Sequence, residues 1–218
     1  MPNLEKYVDR HAAGKVLARS LDLYRDRTDV LVLGLARGGM PVAYEIANEL
    51  NLPLDVFIVR KLGVPNQSEL AMGAIALGDI QVLNEHIISH MGVSKEEINR
   101  IFQKEREELN RRALLYRENR PLPELKNNTI ILVDDGIATG ASIRAAIQAL
   151  RQLHVAKLIV AVPVADKEMC HTIALLVDEF YCPLRPTNFE AVGLWYENFS
   201  QTEDAEVYTL LMKAKKFG

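Results

Sequence analysis

Cysteine is nearly missing from this chain: Cys170 and Cys182 are the only two in 218 residues. That argues against a small secreted scaffold stapled by disulfides and is expected of two half-buried free thiols in a reducing compartment. Aromatic residues are sparse at 6%, with Trp195 the single tryptophan. No apolar run approaches the roughly 18 residues of a membrane span. The opening MPNLEKYVDRHAAGK is charged and lacks the apolar centre of a secretory signal. A cytoplasmic protein without a membrane partner is therefore expected, and the Asn-x-Ser/Thr triplets at Asn66, Asn127 and Asn198 read as chance matches.

Charge of one sign is lacking too. Lys and Arg total 26 against 29 for Asp and Glu, leaving a net charge of −3. A uniform basic face for nucleic acid is not expected from that balance. The basic-rich segment holding Arg100, Lys104, Arg106, Arg111 and Arg112 is interleaved with Glu96, Glu97, Glu105, Glu107 and Glu108, the pattern of a solvated, salt-bridged helix. What is present is ordinary globular composition, 49% hydrophobic and 25% charged, in a chain long enough to bury a core without staples.

Periodicity organises that core. Leu4 to Tyr24 carries apolar residues at Val8, Ala12, Val16, Leu17 and Leu21, a helical spacing. Val30 to Leu35 is a continuous apolar run ending in Ala36-Arg37-Gly38-Gly39; unbroken runs suit strands covered on both faces. Pro41 to Leu50 reads as a helix and Leu54 to Val59 as a second strand. Leu62 to Asp79, punctuated by Gly63, Pro65, Asn66, Gly73 and Gly78, reads as a long mobile loop or a loose hairpin. Ile80 to Leu83 suits a short strand. Ser94 and Glu97 stand in capping-box register before a helix running to Tyr116. Strands at Ile130 to Val133, Leu158 to Val162 and Val177 to Tyr181 alternate with a helix at Ile143 to Leu153, and a last helix spans Glu203 to Lys213. Alternating strands and helices predict an α/β fold with an open, mainly parallel sheet.

One segment carries chemistry. A strand runs into two adjacent acids, Asp134-Asp135, then the small-residue loop Ala138-Thr139-Gly140-Ala141-Ser142, then a helix. Backbone N–H groups of such a loop, with the helix N-terminus behind them, cradle a phosphate. The acids cannot bind the same phosphate, because like charges repel; they suit hydroxyls or a metal. A phosphate cradle beside acceptors for a diol describes a sugar phosphate. The loop lacks the Gly-Lys-Ser/Thr ending of a P-loop, and Arg37-Gly38-Gly39 lacks the dinucleotide pattern.

The segment IILVDDGIATGAS, 130–142, resembles the phosphoribosyl pyrophosphate (PRPP) signature of type I phosphoribosyltransferases. LARGG at 35–39 resembles the family's pyrophosphate loop, Arg60-Lys61 the start of its flexible catalytic loop, and VGLWYENF at 192–199 the hood of its purine-type members. The resemblance implies a core over residues 1–182 that includes the flexible loop 62–79, and a C-terminal hood over 183–218. It implies that Asp134 and Asp135 hold the ribose hydroxyls and offset charge at the anomeric carbon, and that both serve magnesium, directly or through bound ligands. It implies that Ala138 to Ser142 bind the 5-phosphate. Ala36, Arg37, Gly38 and Gly39 would bind pyrophosphate around a non-proline cis peptide at Ala36–Arg37. Arg60 or Lys61 would reach the pyrophosphate as the loop closes, with Glu69 a further loop candidate. Phe189 and Trp195 are candidates for stacking on the acceptor base or for packing within the hood. Partners implied are PRPP, a small nucleobase-like acceptor and a second copy of the chain.

Three positions depart from the family. Ala138 stands where some purine-salvage members carry an Asp base. Pro163 and Val164 stand near the place of the 6-oxopurine enzymes' lysine, with Lys167 further on. Gly136 follows the acid pair where an apolar residue is usual. Transfer of phosphoribosyl to a nitrogen acceptor is the leading expectation. A regulator that binds PRPP or a nucleotide without turnover, and a hydrolase acting on a phosphorylated sugar, stand beside it.

Overall fold

The computed structural model describes residues 6–77, 80–118 and 120–216; the side chains of Ser68 and Glu69 also lie outside the described set, and with them the Glu69 expectation. Five parallel strands form the central sheet: β1 (Val30–Leu35), β2 (Leu54–Phe57), β6 (Thr129–Val133), β7 (Lys157–Ala161) and β8 (Glu179–Tyr181), in the order β2-β1-β6-β7-β8. β1 and β6 lie at its centre and are buried along their whole length, as their unbroken apolar runs require.

A second sheet, antiparallel and three-stranded, contains β3 (Val59–Val64), β4 (Gln67–Ala76) and β5 (Ile80–Leu83) in that order. The stretch expected as a mobile loop or loose hairpin is thus strand as far as Ala76; Gly78 and Asp79 lie outside the described residues. The turn at Pro65-Asn66, with Asn66 at φ 63°, closes a hairpin whose register slips on either side of Gly63. Those punctuating residues mark a turn and bulge inside a ladder rather than a break in it.

Helices cover both faces. α1 (Arg10–Ser20) and α2 (Gly39–Glu49) lie together on one face, with α3 (Glu85–Met91), α4 (Lys95–Arg117) and α7 (Asp204–Lys213) contributing to the same apolar cluster. α5 (Ala141–Gln152) and α6 (Lys167–Ala174) serve the other cluster, which also holds the buried free thiols Cys170 and Cys182. The capping box of Ser94 and Glu97 is formed. Two helices, α3 and α6, escaped the sequence reading; both are short and begin at a side-chain cap, Asn84 and Asp166.

The buried stripe of α1 differs from expectation. Val8 is exposed and precedes the helix, and the buried residues are Arg10, Ala13, Gly14, Leu17 and Ala18. The small residues are inside because α2 lies against them: a Cβ on Gly14 would sit 2.6 Å from the Val42 carbonyl oxygen. The C-terminal part divides in two. Residues around Val192–Trp195 pack with Tyr7, Ala13 and Val164 in a small cluster, whereas Val207, Leu210 and Leu211 of α7 return to the main core. No helix among the described residues is long and apolar enough to cross a membrane.

Candidate active site

Parallel pairing of β1 with β6 sets the site. Gly34 stands opposite Val133, so the loops that follow the two strands leave the carboxyl edge of the sheet side by side, where open α/β sheets bind their ligands. From β1 comes Ala36-Arg37-Gly38-Gly39, and the Ala36–Arg37 peptide is cis, as expected. From β6 come Asp134, Asp135 and the loop into α5.

The glycines let these loops touch. A Cβ on Gly39 would lie 2.5 Å from the Val133 carbonyl oxygen and 2.9 Å from Asp134 Cα; one on Gly38 would lie 2.1 Å from Asp135 Oδ2. Only a residue without a side chain fits at either position. Gly140 takes the left-handed conformation, φ 74°, ahead of α5, and Thr139 Oγ1 accepts from the Ala141 N–H at 3.4 Å. Ala138, Thr139 and Ser142 are exposed, so the loop is open to a ligand. A cavity of about 190 Å³ lies over it, lined by Asp134, residues 136–143 and, from the hood, Val192.

Burial, and the charge of Asp135 beside it, push the Asp134 carboxyl well above the usual carboxylate range. Burial also raises Asp135, against the pull of Arg10. Arg10 and Tyr196 are site residues that the sequence reading missed. Arg10 Nε donates to Asp135 Oδ2 at 2.8 Å, and the Tyr196 hydroxyl donates to the Asp135 carbonyl oxygen at 2.6 Å. A signal for Arg10 existed: it falls in helical register with Ala13, Gly14 and Leu17, so a charge stands on the buried stripe.

The remaining expected residues are distributed unevenly. Arg37 Nη1 faces the start of α7, 3.7 Å from Asp204 Oδ1. Arg60 lies on β3 with Nε and Nη2 both on Glu105 Oε2 of α4, at 2.8 and 2.6 Å, so the structure directs its guanidinium at α4 rather than at the acid pair. Lys61 is its neighbour on the strand, and alternation puts it on the opposite face. That is the face of Val59, which packs in the α5 cluster, while Leu62 packs in the cluster that includes α4. Phe189 and Trp195 are half-buried against the Tyr7–Tyr196 cluster of the hood, and Val192 is the hood residue at the cavity. Gly136 explains how: a Cβ there would meet Val192 Cγ1 at 2.5 Å, so the unusual glycine seats the hood on the acid-pair turn.

Comparison with known proteins identifies the family. The family model described as phosphoribosyl transferase domain matches residues 3–172. The chain belongs to the phosphoribosyl transferase domain family. Over 98% of its length the domain is 41% identical to a Mycobacterium tuberculosis protein (strain H37Rv) named "Putative phosphoribosyl transferase Rv0571c", and equally to its counterpart in strain CDC 1551. It spans about half of those curated relatives, 48% of each. Among solved structures, the protein TT1426 from Thermus thermophilus superposes with a TM-score of 0.85 at 36% identity, covering 96% of this chain and 99% of that one. A hypoxanthine-guanine phosphoribosyltransferase from Bacillus anthracis, 12% identical, shares the fold of this phosphoribosyl transferase domain at a TM-score of 0.50, covering 88% of this chain and 92% of that one.

Proposed function

We propose that this phosphoribosyl transferase domain moves the phosphoribosyl group of PRPP to a nitrogen acceptor of the nucleobase class and releases pyrophosphate. The observation that carries the reading is the junction of three devices at the ends of β1 and β6: an open small-residue loop, a half-buried acid pair, and a glycine loop pressed against that pair.

In this reading residues 138–142 hold the 5-phosphate through backbone N–H groups, aided by the Thr139 and Ser142 hydroxyls. Asp134 and Asp135 accept from the ribose hydroxyls. The acceptor nitrogen bonds to the anomeric carbon as its bond to pyrophosphate oxygen breaks. The bonding pair leaves with pyrophosphate, and the acceptor gives up its proton to solvent. Positive charge gathers at the anomeric carbon during that exchange, and fixed carboxylates nearby stabilise it. The Ala36–Gly39 backbone receives the pyrophosphate, with Arg60 or Lys61 of β3 assisting.

Magnesium suits the donor set, because Asp134 offers hard carboxylate oxygen at the cavity and this ion is held by one or two carboxylates plus substrate phosphates. When bound, it supplies charge neutralisation for the pyrophosphate leaving group. Phe189 and Trp195 pack inside the hood, which favours a structural role for both and leaves Val192 to meet the acceptor. Cytoplasmic location and pairing of two copies belong to the proposal on the family resemblance alone.

The test is pyrophosphate release from PRPP and magnesium with a panel of nucleobases and with none, using the Asp134→Asn/Asp135→Asn double variant as control. Release that needs one base and is lost in the variant is expected. Release without any base would point to water as the acceptor. Binding of PRPP without release across the panel would overturn transfer to nucleobases and leave the non-catalytic reading.

A further inference from the structure

Arg10 is 9% exposed, an unusual place for a guanidinium. It begins α1, far along the chain from the acid pair, yet it is committed on three sides. Nε donates to Asp135 Oδ2 at 2.8 Å, Nη1 donates to the Ser200 carbonyl oxygen at 2.7 Å, and the guanidinium carbon lies 3.8 Å from the centre of the Phe199 ring.

Stability alone is a poor reason for this arrangement. Removing an ion pair from water costs about as much as the pair returns, and well-packed apolar residues of similar volume often do as well. Its geometric effect is specific. Asp135 Oδ2 is enclosed by Arg10 on one side and by Gly38, where a Cβ would stand 2.1 Å away, on the other. Oδ1 accepts no hydrogen bond among the described residues and is not sealed from solvent. The Tyr196 hydroxyl fixes the backbone of the same residue. One oxygen is therefore held and the other is left for a donor.

We infer that Arg10 is a positioning residue, which locks one oxygen of Asp135 so that the other faces the ribose hydroxyls of PRPP. The inference rests on the proposed function. It makes α1 and the hood parts of the ribose subsite, because both grip the same guanidinium. The guanidinium meets Asp135 and Ser200 with separate nitrogens, Nε and Nη1, fixed in one plane; lysine would keep the charge but offers a single nitrogen without that fixed fork.

The experiment is calorimetric titration of PRPP with magnesium into wild-type protein, Arg10→Gln, Arg10→Lys, Asp135→Asn and the Arg10→Gln/Asp135→Asn double variant. His11→Ala is the control: it lies on the same helix, its Nδ1 is 2.8 Å from Glu45 Oε1, and it does not touch the acid pair. Each variant is first shown to be folded by circular dichroism at the titration temperature. Arg10→Gln is expected to weaken PRPP by about 10- to 100-fold, the scale of loss when a partner that orients a metal-ligating side chain is removed. Arg10→Lys should recover part of that loss. Arg10→Gln should cost nothing further once Asp135 is Asn, the signature of action through that carboxylate. His11→Ala should bind like wild type.

Equal binding by wild type and Arg10→Gln would overturn the inference while leaving the proposed function standing. So would additive losses in the double variant, or a loss in His11→Ala that matches Arg10→Gln. If Arg10→Gln does not fold, Arg10→Lys in the two Asp135 backgrounds decides by the same criterion. No binding by the wild type would overturn the proposed function and this inference with it.

Discussion

Gly39→Ala is the sharpest single test of how the site is built. Gly39 opens α2 and is buried. In an exposed helix, alanine in place of glycine is more stable by about 1 kcal/mol. Here the added methyl would lie 2.5 Å from the Val133 carbonyl oxygen and 2.9 Å from Asp134 Cα, both backbone atoms at the end of β6. Carbon atoms in contact need roughly 3.5 Å, so α2 must retreat from β6 by about 1 Å. Overpacking of that kind costs about 1–3 kcal/mol. Set against the helix preference, a net loss of up to about 2 kcal/mol is expected. For a chain of this length that lowers Tm by up to about 8 °C, at about 2–4 °C per kcal/mol. The assay is thermal unfolding by calorimetry, with urea unfolding to show that the slope is unchanged and only the midpoint moves. Gly92→Ala is the contrast. It also strains its backbone, at φ 62°, but a Cβ there meets nothing within 4 Å, so it should cost stability and leave PRPP binding intact, whereas Gly39→Ala should impair both. A Gly39→Ala variant that is stabilised and binds PRPP like wild type would refute the close approach of the two loops.

Other expectations follow from the same contacts. Asp134→Asn should raise Tm at neutral pH: the folded carboxyl titrates above its unfolded value of about 3.9 through burial and the Asp135 charge. Its ionised form therefore costs stability at pH above the folded value. The advantage of Asn should fade as pH falls toward about 4, and a pH series of melting curves checks the sign. Tyr196→Phe removes the hydroxyl that donates to the Asp135 carbonyl at 2.6 Å and should cost about 0.5–1.5 kcal/mol in urea unfolding. Gly136→Leu cannot coexist with Val192 at its present place; limited proteolysis should cut near the hood faster than in wild type, and unchanged protection would count against the hood contact.

How much of this was legible in the sequence depended on how local the signal was. The central strands declared themselves, because a strand covered on both faces must be apolar nearly throughout, and Val30–Leu35 and Ile130–Val133 are. The turn after β6 was equally readable, since the small residues Ala138 to Ser142 suit a tight passage into α5, with Gly140 in the left-handed region. The β3–β4 hairpin was less clear, because Gly63 and Gly73 look the same in a mobile loop as in a bulged ladder; only pairing across the hairpin separates them. The pairing of Arg60 was illegible for a related reason: Glu105, which holds its guanidinium, is 45 positions away.

The least legible part is what closes the site. Arg10, Gly136 and Tyr196 come from the first helix, the acid-pair turn and the hood, and no spacing rule connects them. Each was nonetheless an anomaly in its own segment: a charge on a buried stripe, a glycine where an apolar residue is usual, a tyrosine beside Trp195 and Phe199. The structure resolves two of these anomalies through one residue, Asp135. Arg10 grips its side chain and Tyr196 its carbonyl. Gly136, next along the chain, admits Val192. The hood residues at the acid-pair turn, Val192, Trp195 and Phe199, are half-buried around the small Tyr7–Tyr196 cluster and lie outside the two main cores. A variant that loosens the hood should therefore lose PRPP affinity before it loses the fold, which titrating PRPP into Gly136→Leu at a temperature well below its Tm would show.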